Sequence, residues 1–468
     1  MSPIILNHTL ADLYSEDGDV SNLVAVFAYP TARSQGIASS PSSKKFIYQT
    51  PLAPSTNQDA VERRRLHNIP LKMAFTMGKM PIVLFDLDRS EMDDNGEYSH
   101  HVDACKVLDQ LHPNQRPNIT FTRGPDEIQL QKDARIVILS PLDFIAHLPH
   151  AVDPEIHYDL LSKRGLAYSG LPTPRTVVMD SISLPSEGFS STQIKDEIQR
   201  MMCPIYEREV PFIVKVPQAV GGLGTFIVRT EAQRQAAATV LETELGQILR
   251  NVTSLNQHLQ PCCLIIQDFV PGDTLGLTLF VTQLGRPIFI GCCTQAVDIA
   301  GLWSGGTISY PRQAELQKRF GELMDKIARL LHKKGYYGPA GVDIMIDQNG
   351  KPLIIDFNVR VTGSYSLGCL RSHFEQRGLC EALLSSINPH CSREDFQNHF
   401  KEEFEHGIFI MITWTSHMPD GSSLAMVCMG APDQTQLQDL AARLATFVSA
   451  SKDSGPDGHN LHTITSAP

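Results

Sequence analysis

The sequence predicts a mixed α/β and α+β protein of about three domains, and three observations carry that prediction. The chain has 468 residues, more than one hydrophobic core ordinarily organises. Short apolar runs of strand length alternate with longer stretches whose apolar residues recur at helical spacing. Beyond its midpoint, two apolar runs flank Asp347-Gln348-Asn349-Gly350, which favours a tight hairpin turn.

Residues 1–150 read as an N-terminal α/β domain, with buried strands at 22–27, 80–85 and 134–139. A Ser-, Pro- and Thr-rich segment at 32–59 interrupts them as a loop or linker. Residues 151–275 form a central lobe that opens on a helix at 155–170 and a hinge at Leu171-Pro172-Thr173-Pro174. Strands at 212–216, 225–228 and 263–267 follow, with a helix at 231–250 between the second and third. Residues 276–392 form a second lobe, with strands at 277–281 and 287–292, a helix at 315–332 and the hairpin 341–346/352–356. Residues 393–468 read as an appended lobe and tail, for which homodimerisation is the candidate role.

A formal net charge of −11 with no basic stripe argues against nucleic acid as a partner. Nowhere does an apolar run approach the length of a membrane span, and the acidic residues after position 11 argue against a secretory leader. The ten cysteines show no metal-ligand spacing. The pairs Cys262-Cys263 and Cys292-Cys293 sit inside apolar runs, as small core residues do. The expected compartment is reducing and cytoplasmic.

The chemistry concentrates in the hairpin. Asp356 and Asn358 alternate along one strand, so both side chains leave the same face, and Asp343 lies across the turn from them. Two carboxylates and an amide oxygen make a hard oxygen cluster suited to Mg²⁺, with Mn²⁺ as the alternative. Arg360 continues the alternation and sets a planar cation beside that cluster, suited to phosphate or carboxylate. Upstream, Lys215 closes an apolar strand at the edge of an open cleft. Gly221, Gly222 and Gly224 follow in a loop able to drape N–H groups over phosphates. No Gly-Lys-Ser/Thr follows, so this is not a Walker A loop. Between the two motifs, Gln267, Phe269 and Asp273 lie where a strand ends in a turn.

The order of lysine strand and glycine loop, then strand-end hinge, then acidic hairpin resembles the ATP-grasp superfamily over residues 155–370. That superfamily includes D-alanine–D-alanine ligase, biotin carboxylase and glutathione synthetase. The resemblance implies an N-terminal α/β domain followed by two lobes clamping ATP. It further implies that Lys215 meets the phosphates and adenine side, and that Gly221, Gly222 and Gly224 form the phosphate lid. Gln267 and Phe269 match the adenine-reading hinge and Asp273 the ribose ligand. Asp343, Asp356 and Asn358 match the magnesium ligands, and Arg360 the arginine that stabilises an acyl phosphate. Asp356 stands where the family usually has Glu, and Val359 where it has Pro. Asp159 stands where the lead-in helix usually offers a lysine, with Lys163 one turn on as the substitute. Residues 300–307 carry no cation, where the family often has a lysine.

The implied activity is ATP-dependent ligation of a small-molecule carboxylate to an amine. The closest pattern is the stand-alone ligase of specialised metabolism, since no biotin-carrier or amidotransferase segment is seen. The lack of a Ser/His/Asp or Cys/His signature agrees with a mechanism that needs no protein nucleophile. Residues 303–307 and 362–366 are expected as loops lining the acceptor side. Two alternatives stay open. One is an ATP-binding module that turns over weakly. The other is a haloacid-dehalogenase-like phosphatase, from the aspartates Asp86 and Asp88 that end the strand at 82–85.

Overall fold

The computed structural model describes residues 3–30, 44–49, 66, 68–85, 99–186, 188–219, 224–297, 303–416 and 421–453. Gly221, Gly222, Asp86 and Asp88 lie outside the described residues.

Three sheets organise the described residues. The first holds β1 (Leu23–Phe27), β2 (Pro81–Phe85), β3 (Asn118–Thr122) and β4 (Arg135–Ile138) in the order β3-β2-β1-β4, all parallel. Both faces of this sheet are covered, which is why its central strands read as unbroken apolar runs. The second holds β5 (Thr176–Asp180), β6 (Phe212–Lys215), β7 (Thr225–Val228) and β8 (Cys263–Asp268) in the antiparallel order β5-β8-β6-β7. Helices Ser191–Glu207 and Glu231–Asn251 cover it, burying Met201, Ile205, Leu241 and Leu245 against Val214, Leu264 and Ile266.

The third sheet is antiparallel and eight-stranded. It holds β9 (Leu275–Val281), β10 (Pro287–Val297), β11 (Trp303–Ser309), β12 (Gly338–Ile346), β13 (Pro352–Asn358), β14 (Glu381–Ile387), β15 (Phe409–Thr415) and β16 (Leu424–Ala431). Their order is β13-β12-β9-β10-β11-β14-β16-β15. The helix Gln313–Lys333 buries Leu316, Phe320, Leu323, Ile327 and Leu331, one stripe at helical spacing. That stripe packs on Leu277, Leu279, Ala340, Val342 and Ile344. Because strand side chains alternate, a β12 that aims Ala340, Val342 and Ile344 at the helix aims Gly341 and Asp343 at the other face.

The structure differs from expectation in four places. The helix expected at 155–170 is two, Pro154–Leu161 and Lys163–Ala167, because Ser162 adopts an extended backbone and caps the second. Residues 303–307 are not a loop but the start of β11. Residues 365 and 366 begin a short buried helix, Tyr365–Cys369. The line expected at 392 falls between β14 and β15 of one continuous sheet, so residues 409–431 complete that sheet. Their core is shared with the N-terminal domain, where Phe27, Phe75 and Leu108 join the same cluster as Phe396, Trp414 and Met429.

Candidate functional site

In the hairpin β12–β13, Asp343 is the register partner of Asp356 and Gly341 that of Asn358. The turn between them is closed by Asp347, whose carboxylate accepts from the N–H groups of Asn349 and Lys351 at 2.9 and 2.8 Å. Beyond Asp343 the register slips: Ile344 pairs with Ile354, so Ile355 is an extra, bulged residue. Lys215 donates to the carbonyl of Ile355, joining the end of β6 to the bulge of β13.

Lys163 is the second cation behind the hairpin. Its Nζ lies 3.1 Å from Asp356 Oδ1 and donates to the Ala219 carbonyl at 3.1 Å. Burial alone would raise the Asp356 carboxyl, but Lys163 and then Lys215 outweigh it and hold that group below its usual range. Asp343 goes the other way, raised first by burial and then by the charge of Asp356. Burial pushes the Lys215 ammonium down to about 8. Lys215 is 5% exposed, which corrects the expectation of an open cleft at that position.

Asp343, Asp356, Asn358 and Arg360 line one cavity of about 440 Å³. Arg360 donates to Asn358 Oδ1 at 3.2 Å and to the Val361 carbonyl at 3.1 Å. Gln295 donates to Asp343 Oδ1 at 3.1 Å and accepts from the Trp303 indole N–H. Two glycines make room for this chain of contacts. A Cβ at Gly276 would come within 2.1 Å of the Gln295 amide, and one at Gly363 within 2.5 Å of the Trp303 ring. Thr362, Gly363 and Ser364 line the cavity, whereas Tyr365 and Ser366 do not.

Two opposed, part-buried carboxylates that repel each other, with an amide oxygen beside them, fit a divalent cation by donor type. Among the described residues no group of three or more His, Cys, Asp or Glu is placed to hold a metal, so such an ion would take its remaining oxygens from substrate and water.

Lys215, Gly224, Gln267, Phe269 and Asp273 do not line this cavity. Gly224 takes φ +70° and closes the β6–β7 loop, its carbonyl accepting from Val216 N–H at 3.0 Å. Gln267 is 3% exposed within β8 and donates to Thr176 Oγ1 at 3.1 Å. Arg229 stacks 5.1 Å over the Phe269 ring, and Asp273 is exposed in the turn before β9.

The cavity lining includes one cation that the sequence-derived set lacks. Lys72, on the helix of residues 68–74, is 8% exposed, and its Nζ sits 4.6 Å over the Trp303 ring. Burial, and the like charge of Arg360, push its ammonium down to about 7. The signal was present: Lys72 is the single charge within the apolar run 69–75.

Residues 180–364 match the family described as "ATP-grasp domain". Residues 180–364 therefore belong to the ATP-grasp domain family. Among solved structures the chain is similar to the ADP complex of an N5-carboxyaminoimidazole ribonucleotide synthetase, at 10% identity and TM-score 0.45. That match covers 97% of this chain and 100% of the other. It is also similar to the Staphylococcus aureus N5-carboxyaminoimidazole synthetase with ADP, at 11% identity and TM-score 0.48, covering 90% and 96%. A third is an L-amino acid ligase from Bacillus licheniformis, at 11% identity and TM-score 0.46, covering 91% and 97%.

Proposed function

We propose that this chain binds magnesium-ATP beside the hairpin β12–β13 and uses it to join a small carboxylic acid to an amine. The observation that carries this reading is the in-register pair Asp343 and Asp356, with Asn358 and Arg360 on the same cavity and Lys163 and Lys215 behind it. A carboxylate oxygen of the acid attacks the γ-phosphorus, the bond to the β-phosphate oxygen breaks, and ADP leaves. The amine then attacks the acyl carbon of the acyl phosphate, phosphate departs, and the amine nitrogen loses a proton.

The protein's part is positioning and charge neutralisation. Asp343, Asp356 and Asn358 would hold Mg²⁺ (or Mn²⁺), which supplies Lewis-acid neutralisation of phosphate charge when bound. Lys163 and Lys215 keep Asp356 ionised and so able to serve as a ligand. Arg360 offers its guanidinium to the transferring phosphoryl group and the acid. The glycine loop closed by Gly224 is the proposed lid, Gln267 and Phe269 the adenine hinge and Asp273 the ribose contact, all on the family pattern.

A nucleotide binder with weak turnover was left open by the shortage of cations in the sequence. Lys163, 3.1 Å from Asp356, supplies one, which favours the ligase. Residues 1–150 serve as the N-terminal domain in this reading, and residues 151–275 and the lobe that begins at 276 and is completed by β15 and β16 as the two clamping lobes. The proposed setting is a cytoplasmic ligase of specialised metabolism, on sequence pattern alone. Among the described residues no helix is long and apolar enough to cross a membrane.

The test is calorimetry with ATP and Mg²⁺, followed by ADP release against a panel of acids with and without amines. ADP formation that requires a carboxylic acid is expected. ATP binding with no acid-dependent ADP would favour the binder instead.

A further inference from the structure

The cavity holds one cation, Lys72, that the nucleotide reading leaves without a role, beside Arg360, which that reading already turns toward the acid. Lys72 meets the Trp303 ring and, among the described residues, no carboxylate. Among the described residues, Arg360 bonds neutral oxygens only, those of Asn358 and Val361. Asp343 and Asp356 line the same cavity and go to the metal in the ligase reading, which leaves Lys72 and Arg360 to favour an anion between them. One part of the remaining wall is apolar, Ile69 and Met73 from the helix of residues 68–74 with Leu424 and Met426 from β16, and it adjoins the polar Ser386 and Asn388.

This wall is built rather than incidental. Asn68, one turn before Lys72 on the same helix, donates to Thr413 Oγ1 and to the Leu424 carbonyl, both at 3.3 Å. The helix that carries Lys72 is thereby pinned to β15 and β16. Trp303 is held by Gln295 and by the space that Gly363 leaves. At about 440 Å³ the cavity is of small-ligand size.

Resting on the ligase reading, we propose that this cavity takes the acid substrate, a monocarboxylic acid with an apolar body. Its carboxylate lies between Arg360 and Lys72, and its body lies on Trp303, Met73 and Met426. The C-terminal strand β16 then sets acid specificity through Leu424 and Met426.

The test measures binding of 3-phenylpropanoate, 3-phenylpropanamide and acetate to the full chain by ligand-observed NMR, with and without Mg-ADP. The acid should bind about tenfold or more tightly than either its neutral amide or acetate, since one charge-assisted contact and one apolar wall are lost in turn. Lys72→Met should weaken the acid about tenfold and leave the amide unchanged, and Lys72→Arg should restore part of the loss. Equal binding of acid and amide, no binding of the acid, or a folded Lys72→Met with unchanged affinity would each overturn the proposal. The acid–amide comparison uses the unmodified protein, so it stands even if the variant fails to fold. Mg-ATP calorimetry on the same sample reads the ligase proposal separately. Acid binding without ATP binding sinks the ligase, and ATP binding without acid selectivity sinks the subsite.

Discussion

Lys163 Nζ lies 3.1 Å from Asp356 Oδ1 and an equal 3.1 Å from the carbonyl oxygen of Ala219. One ammonium therefore joins the acidic hairpin to the loop that follows Lys215. Lys163→Met leaves a part-buried carboxylate with one cation fewer. The expected cost is on the order of 2 kcal/mol in urea unfolding, below that of a fully buried pair because Asp356 retains some solvent. Mg-ATP affinity should fall with it. Unchanged values of both would make Lys163 a bystander.

Asp343→Asn should act with opposite signs on stability and on metal use. It removes a charge that burial and Asp356 both oppose, so the metal-free protein should be as stable as wild type or more so. The same change removes a hard anionic ligand, so the Mg²⁺ concentration for half-maximal ADP formation should rise about tenfold or more. Loss of stability with Mg²⁺ dependence intact would contradict the assignment.

Arg360 separates holding ATP from using it. Both Arg360→Lys and Arg360→Ala should retain ATP binding and lose acid-dependent ADP formation by roughly 100- to 1,000-fold. Lysine keeps the charge but not the fork, so an active Arg360→Lys with an inactive Arg360→Ala would show that charge alone suffices. Wild-type turnover in Arg360→Ala would end its catalytic role.

Glu244 gives a pH dependence away from the site. It is buried on the helix Glu231–Asn251 beside Leu241 and Leu245, and burial raises its carboxyl to about 7. The unfolded chain releases this proton near pH 4.5 and the folded chain only near pH 7. Stability therefore falls as pH rises through that window, and the full penalty applies above it. Glu244→Gln should match wild type near pH 4.5 and exceed it at pH 8 by about 1–2 kcal/mol, allowing for partial solvent screening. A pH-independent difference in urea unfolding would contradict this.

The hairpin was legible because period-2 alternation places Asp356 and Asn358 on one face, and the turn residues fix which strand opposes them. The bulge at Ile355 was not, since a register slip leaves no mark on composition. Strands β3, β5, β11, β14 and β16 escaped because Thr, Ser, Gly and Asn dilute their apolar pattern, as in Asn118–Thr122 and Trp303–Ser309. β16, although richer in apolar residues, shows no turn signal that ties it to β14. The place of β15 and β16 in the large sheet rests on pairings across long sequence separation, which periodicity does not report. Lys72 was hidden for the same reason: its partner Trp303 lies far along the chain. Lys163 was legible as a substitute cation, but its contact with Asp356 needed the break at Ser162 that turns the second helix.

Acyl phosphate formation is the central claim, and hydroxylamine tests it most directly by trapping that intermediate as a hydroxamate. The full chain, Mg-ATP, a carboxylic acid that supports turnover and excess hydroxylamine should yield hydroxamate and ADP in equal amounts. Omission of the acid should abolish both, and Arg360→Ala should suppress both together. Hydroxamate accompanied by AMP in place of ADP, or ADP released without hydroxamate, would contradict the account.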